Sequence, residues 1–174
     1  EQAEEAWQNA EVDALYRLAA AGVRVPEPYG CFDGVLLMEL VTLPDGQVAP
    51  RLNDVPLEPE QARKDHATLM ESIKRMLCVS LVHGDLSEFN VLVDEHGPVI
   101  IDLPQAVDAA ANNNAFFMLN RDVNNITQYY AQYAPELLET RYSPEMWSLY
   151  KAGRLEMDTV LTGEFIEPDT EADV

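Results

Sequence analysis

The stretch Leu81-Val82-His83-Gly84-Asp85-Leu86-Ser87-Glu88-Phe89-Asn90-Val91-Leu92-Val93, followed by Val99-Ile100-Ile101-Asp102, constrains this chain more than any other. Short apolar runs rich in valine and isoleucine, of strand length, bracket a polar segment. That segment holds an Asp and, five residues on, an Asn; a second Asp closes the next apolar run. Carboxylates and an amide set between buried strands cost free energy unless they are partnered or used. Any fold open to this chain therefore has to bring Asp85, Asn90 and Asp102 to one place.

These side chains suit phosphoryl transfer. A carboxylate such as Asp85 orients or deprotonates an acceptor hydroxyl, while an amide oxygen (Asn90) and a second carboxylate (Asp102) hold a magnesium ion that bridges nucleotide phosphates. The general kinase pattern has the same Asp-to-Asn interval and places the metal Asp beyond a short hairpin, here turned by Asp94-Glu95-His96-Gly97. His83 stands where kinases brace this loop with a histidine and reads as a satisfied core residue rather than a base. The alternative for Asp85 and Asn90 is a polar turn closed by Asx-type backbone bonds; for Asp102 it is a strand-terminating carboxylate. Ser87 has no indicated base or orienting group that would make it a nucleophile. No Cys/His spacing suggests zinc, and His66 and His96 read as surface residues. Cys31 and Cys78 read as two reduced, buried thiols, which points to a reducing compartment and hence the cytoplasm.

Before this stretch, residues 3–21 read as a helix. Trp7, Ala10, Ala14, Leu15 and Leu18 recur at spacings of three and four, and Gly22 follows as a C-cap. Glu11 falls on the same stripe, where a carboxylate needs a cation or a hydrogen-bonded niche; a boundary glutamate is the alternative. Val25-Pro26-Glu27-Pro28 is an extended connector. Tyr29 to Phe32 and Val35 to Val41 form a hairpin around Asp33-Gly34, with Glu39 interrupting the second strand. Thr42 to Pro59, interrupted by Pro44, Pro50 and Pro56, reads as a loop crossing between lobes.

Glu60 to Cys78 reads as a second helix, with Leu69, Ile73, Met76 and Leu77 on one face and charges elsewhere. Residues 109–117 give no decided state, and Asp122 to Tyr133 is helical. Ser143-Pro144-Glu145 looks like a helix start with Ser143 as N-cap. That helix runs to about Ala152, with Met146, Trp147 and Tyr150 inward. Leu155 to Thr162 suggests one more short helix, and Glu164 to Val174 a frayed acidic tail.

With 174 residues, nearly half of them apolar, the chain amounts to one globular domain. Its formal charge of -20, from 31 acids against 11 bases without a basic cluster, argues against nucleic-acid binding by this segment. No run has the length of a membrane span, so no membrane partner is expected. The first residue is Glu1, which reads as the start of an excised or processed piece.

His83-Gly84-Asp85-Leu86-Ser87-Glu88-Phe89-Asn90, with Ile101-Asp102-Leu103-Pro104-Gln105-Ala106-Val107, resembles the RIO family of atypical serine/threonine protein kinases. Small-molecule phosphotransferases share the His-Gly-Asp start but usually lack both continuations. Glu11 to Leu18 with Gly22 to Pro26 resembles that family's αC helix and its exit, Met38-Glu39-Leu40-Val41 its hinge, and Arg121 to Ile126 a late C-lobe helix. The resemblance implies an α+β, protein-kinase-like fold. A partial N-lobe (αC helix and two hinge-side strands) would cover residues 1–41, a mostly helical C-lobe 42–163, and an acidic tail 164–174. It also implies ATP and Mg²⁺ (or Mn²⁺) as cofactors, and a protein substrate or the chain itself as phosphate acceptor. Asp85 would be the catalytic Asp, and Asn90 and Asp102 the metal ligands. Met38 would be the gatekeeper, with the backbone of Glu39 and Val41 meeting adenine. Glu11 would be the αC glutamate that pairs with a strand lysine.

Family members are also discussed as ATPase-driven switches in which the metal aspartate, here Asp102, becomes phosphorylated. The only lysines, Lys64, Lys74 and Lys151, all follow the hinge, and the eight glycines form no glycine-rich loop. The phosphate-covering loop and the ATP lysine are therefore expected to lie outside this sequence, with the piece alone inactive.

Overall fold

The computed structural model of the chain describes residues 2–103 and 106–168, with side chains from residue 10 onward. The first helix, α1 (Gln2–Ala20), buries Ala14, Leu15 and Leu18 against the core. Trp7 lies before the described side chains. The helix ends where the sequence predicts: Gly22 has φ +82°, and the Val23 N–H donates to the Leu18 carbonyl at 3.0 Å, closing a Schellman-type cap. A Cβ on Gly22 would also come within 3.0 Å of the Arg75 guanidinium, which donates to the Ala21 carbonyl.

Strands β1 (Pro28–Phe32) and β2 (Val35–Met38) pair antiparallel, Phe32 opposite Val35. Asp33 (φ 51°) and Gly34 (φ 78°) make the turn, both left-handed as a two-residue hairpin loop with native twist requires. The second strand stops at Met38 rather than Val41. Glu39 leaves the ladder and bonds Glu27 instead: its N–H donates to the Glu27 carbonyl at 2.8 Å, and its carboxylate accepts the Glu27 N–H at 3.1 Å.

The proline-interrupted segment is a loop, pinned by bridges Thr42↔Val48 and Arg51↔Leu92 and by Leu52, which is fully buried. It delivers the chain to α2 (Pro59–Cys78), which opens on proline. Next come β3 (Leu81–Val82), β4 (Val91–Asp94), β5 (Gly97–Ile100) and β6 (Val107–Asp108). Strands β4 and β5 form the expected hairpin, with Val91 opposite Ile100, and β3 pairs antiparallel with β6. Helices α3 (Ala115–Ala131) and α4 (Tyr142–Lys151) complete the core with α2 through Leu69, Ile73, Leu119, Ile126, Tyr130 and Met146. The result is the expected α+β architecture, a helix and hairpin leading into a mainly helical body.

Several expectations are corrected. α3 begins at Ala115, seven residues before the expected start. Ser143 is not a cap: it lies inside α4, buried, and its hydroxyl donates to Asn120 Oδ1 of α3 at 2.6 Å. Leu155 to Thr162 is not helical. Side chains of the body satisfy its backbone instead: Lys74 Nζ donates to the Met157 and Thr159 carbonyls at 2.7 Å each, and the Glu145 carboxylate accepts the Thr162 and Gly163 N–H groups.

Lys74 is only 1% exposed, so the charges of α2 are not confined to its outer face; Asp65 and His66 are buried as well. His66, expected at the surface, has its Nε2 2.9 Å from Thr127 Oγ1, under the rings of Tyr130 and Tyr142, and burial lowers its pKa to about 4. His96 is exposed as expected. Of the two free thiols Cys31 is exposed, contrary to expectation, while Cys78 is half-buried and burial pushes its pKa up. The segment after Gly163 is held rather than frayed as far as it is described, with the Arg141 guanidinium donating to the Phe165 carbonyl at 3.1 Å and to Glu167 at 3.0 Å. Residues 169–174, and Pro104-Gln105 of the motif, lie outside the described residues.

Candidate active site

The polar segment between β3 and β4 is built on His83. Its ring is buried, Nε2 lies 2.9 Å from the Ile101 carbonyl, and Nδ1 accepts the Asp85 N–H at 3.1 Å. A carbonyl only accepts and an N–H only donates, so these two bonds select the neutral tautomer with its proton on Nε2. The ring thereby locks the exit of β3 to the exit of β5. Asn90, also buried, donates from Nδ2 to the Asp85 carbonyl, and its own carbonyl accepts the Ile101 N–H at 2.9 Å. Asp85, Asn90 and the residue preceding Asp102 thus belong to one hydrogen-bonded unit. With its nitrogen committed, the Asn90 side chain keeps Oδ1 as its acceptor atom. The Asp85 and Asp102 side chains are exposed. Asp102 has φ 59°, a left-handed backbone that costs a non-glycine residue about 1 kcal/mol and persists where neighbouring bonds over-determine it.

Beside this unit lies a cavity of about 250 Å³. Glu11 and Leu15 of α1, Met38 at the end of β2, Glu39 and Val41 just beyond it, Leu92 and Ile100 of the second hairpin, and Asp102 all line it. Five of the seven residues singled out from the sequence therefore share one cavity. Asp85 and Asn90 do not line it and are joined to its Asp102 edge through Ile101. Along the Met38–Val41 wall the Glu39 N–H and the Val41 carbonyl are occupied, by Glu27 and by the Ala49 N–H. The Glu39 carbonyl and Val41 N–H have no partner among the described hydrogen bonds. Glu11 is half-buried and forms no ion pair among the described residues.

An amide oxygen and a carboxylate, here Asn90 Oδ1 and Asp102, are hard oxygen donors of the kind that suit Mg²⁺ or Mn²⁺. Among the described residues there is no cluster of three or more His, Cys, Asp or Glu side chains that could hold a metal ion.

A family model for the RIO domain matches residues 1–143. The chain belongs to the RIO domain family. Its relatives include the RIO-type serine/threonine-protein kinase Rio1 of Haloferax volcanii, 39% identical over 125 residues, which cover 72% of this chain and 42% of that protein. The serine/threonine-protein kinases RIO1 of Caenorhabditis elegans and Homo sapiens are 31% and 32% identical, over 96% and 78% of this chain and 33% and 24% of theirs. The chain therefore spans less than half the length of these three relatives. Its helix–hairpin start and mainly helical remainder form a partial, kinase-like RIO domain. Among the described residues no helix is long and apolar enough to cross a membrane.

One residue that shapes this RIO domain's loop escaped the sequence reading. Asp122 of α3, 1% exposed, accepts the Gly84 N–H at 2.8 Å on one oxygen and the Leu86 N–H at 3.0 Å on the other. Arg121 donates to the Gly84 carbonyl and Asn125 to the Leu86 carbonyl, so one turn of α3 holds the loop on both sides of Asp85. Burial pushes the Asp122 carboxyl pKa up, against the two N–H donors and the nearby Arg121 charge. Asp122 lies at helical spacing from Leu119 and Ile126, on the apolar stripe. The same signal singled out Glu11.

Proposed function

We propose that this RIO domain supplies the catalytic and metal-holding residues for transfer of the ATP γ-phosphate to a protein serine or threonine hydroxyl, its own included. In this reading Asp85 accepts the acceptor's proton, the hydroxyl oxygen forms the new bond to phosphorus, and the bond to ADP breaks. Asn90 Oδ1 and the Asp102 carboxylate hold Mg²⁺ or Mn²⁺, which neutralises charge on the phosphates. The free Glu39 carbonyl and Val41 N–H offer the acceptor–donor pair that an adenine edge complements, beside Met38 as gatekeeper, and Glu11 awaits a cation. The observation that carries the reading is the junction of that hinge-lined cavity, at Asp102, with the hydrogen-bonded unit holding Asp85 and Asn90.

The test is Asp85→Ala in the intact protein. Autophosphorylation should fall by at least about a hundredfold with the melting temperature unchanged; undiminished transfer refutes the assignment.

The exposed, left-handed Asp102 supports a second reading, in which its carboxylate takes the phosphoryl group from ATP and water then cleaves the acyl phosphate, as in a slow switch. Single-turnover labelling separates the two. Label stable on Ser or Thr supports the kinase, whereas label released by hydroxylamine supports the switch.

A further inference from the structure

A second cavity, of about 350 Å³, opens beside the same loop, lined by Glu88, three residues beyond Asp85, and by Asn125, Gln128, Tyr129 and Gln132. Asn125, Gln128 and Tyr129 recur at helical spacing on one face of α3, and Gln132 continues that face as the residue just past its end. We propose that this cavity seats a lysine or arginine side chain of the protein acceptor and so selects basic sequences near the phosphorylated residue. The inference rests on the kinase reading of the neighbouring site.

The chemistry follows from which groups are already committed. Asn125 Nδ2 donates to the Leu86 carbonyl at 3.3 Å, leaving Oδ1 as an acceptor. The Tyr129 hydroxyl donates to the Leu52 carbonyl at 3.1 Å, leaving its oxygen as an acceptor beside the Tyr133 hydroxyl. Glu88 is half-buried, forms no ion pair among the described residues, and no lysine or arginine lines the cavity. What remains is one carboxylate and a ring of acceptors, with two glutamine amides free to turn. An anion would find few donors here, and an apolar ligand little apolar wall. A guanidinium or ammonium brings N–H donors to these acceptors, toward which both glutamine amides can turn their oxygens, and a charge that Glu88 balances.

The field agrees. Burial first, then Tyr133 and the carboxylates of Glu88 and Asp54, push the Tyr129 hydroxyl up to about 12. The position is also fixed relative to the chemistry, because Asp122 and Asn90 hold the backbone from Gly84 to Asn90. A basic residue seated at Glu88 would hold the acceptor chain in constant register with Asp85. The chain's net charge of -20 would steer such acceptors toward it.

The test uses the intact protein and serine-centred peptides in which each flanking position in turn is Arg or Ala. Each is read by direct binding at low salt without nucleotide, and by initial rate with Mg-ATP. At one position Arg should bind at least about tenfold more tightly than Ala, and Glu88→Gln should bring that ratio close to one. Glu88→Lys should move the preference at that position from Arg to Glu, which a folding defect would not produce. An Arg advantage that survives Glu88→Gln, or no position favouring Arg, overturns the inference. So does spermidine binding as tightly as the Arg peptide, which would make the cavity a small-polyamine site. The two readouts separate the failures. Arg-dependent binding with no phosphorylated peptide counts against the kinase reading alone, and phosphorylation without any Arg preference counts against the cavity alone.

Discussion

The two sides of the candidate site are held by different means. On the loop side, three buried polar side chains, His83, Asn90 and Asp122, tie β3, β4, β5 and α3 together at Asp85. On the hairpin side, Tyr29, Phe32, Val35, Leu37 and Leu40 stand exposed, Phe32 by 63%, and the backbone ladder with the Glu27–Glu39 bond carries the geometry. Buried polar bonds fix position because leaving one unmade costs the full desolvation of the stranded group. An exposed two-stranded ladder exchanges its bonds with water at little cost. The groups proposed to act on the phosphate acceptor are therefore stiffly placed, and those proposed to meet the nucleotide base rest on a softer element.

Asp122→Ala tests this contrast with the largest expected effect. It strands two buried N–H groups, and the expected loss of stability is about 3 kcal/mol, read by urea unfolding of the chain. Amide exchange at Gly84 and Leu86 should accelerate about a hundredfold while the β1–β2 amides keep their rates. Equal acceleration in the hairpin would show that the two sides form one cooperative unit. Asp122→Asn, which keeps one acceptor, should lose about half as much.

Acid should weaken the helical body on which the stiff side rests, through His66 of α2 and its bond to Thr127 of α3. His66 titrates near 6.5 when unfolded but only at about 4 in the fold, chiefly because it is buried. Between those values the unfolded chain binds a proton that the folded chain refuses, so stability falls as pH drops from 6.5 toward 4, by about 3 kcal/mol in all. Above pH 6.5 this contribution is fully present and flat. His66→Gln, compared with the parent chain by urea unfolding at pH 7.5 and pH 4.5, should flatten that part of the pH profile. An unchanged slope would mean that other groups govern acid sensitivity.

What was legible in the sequence follows the same division. The hairpins could be read because their information is local: Asp33-Gly34 and Asp94 to Gly97 are turn chemistry, and the interval from Asp85 to Asn90 is a spacing along one loop. Asp122, His66, Lys74 and Ser143 were missed or misplaced because each is satisfied by an element 23 to 85 residues away. Periodicity can mark a polar residue on a buried stripe, but it cannot name the partner. Lys74 shows the cost: the carbonyls it caps belong to a segment whose composition suggested a helix. The cavity at Glu88 was equally hidden, because it exists only once α3 lies along the loop.

The smallest effect is expected on the hairpin's outer face. Within β2, Leu36 packs against the core, whereas Leu37 is 52% exposed. Leu37→Ser removes an apolar side chain that already meets water, so stability should change by no more than about 0.5 kcal/mol. Leu36→Ala should cost about 2 kcal/mol. Both are read by urea unfolding of the chain. A loss above about 2 kcal/mol for Leu37→Ser would mean that something covers this face in solution. The hairpin would then be as firmly held as the loop, and the proposed softness of the nucleotide side would be lost with it.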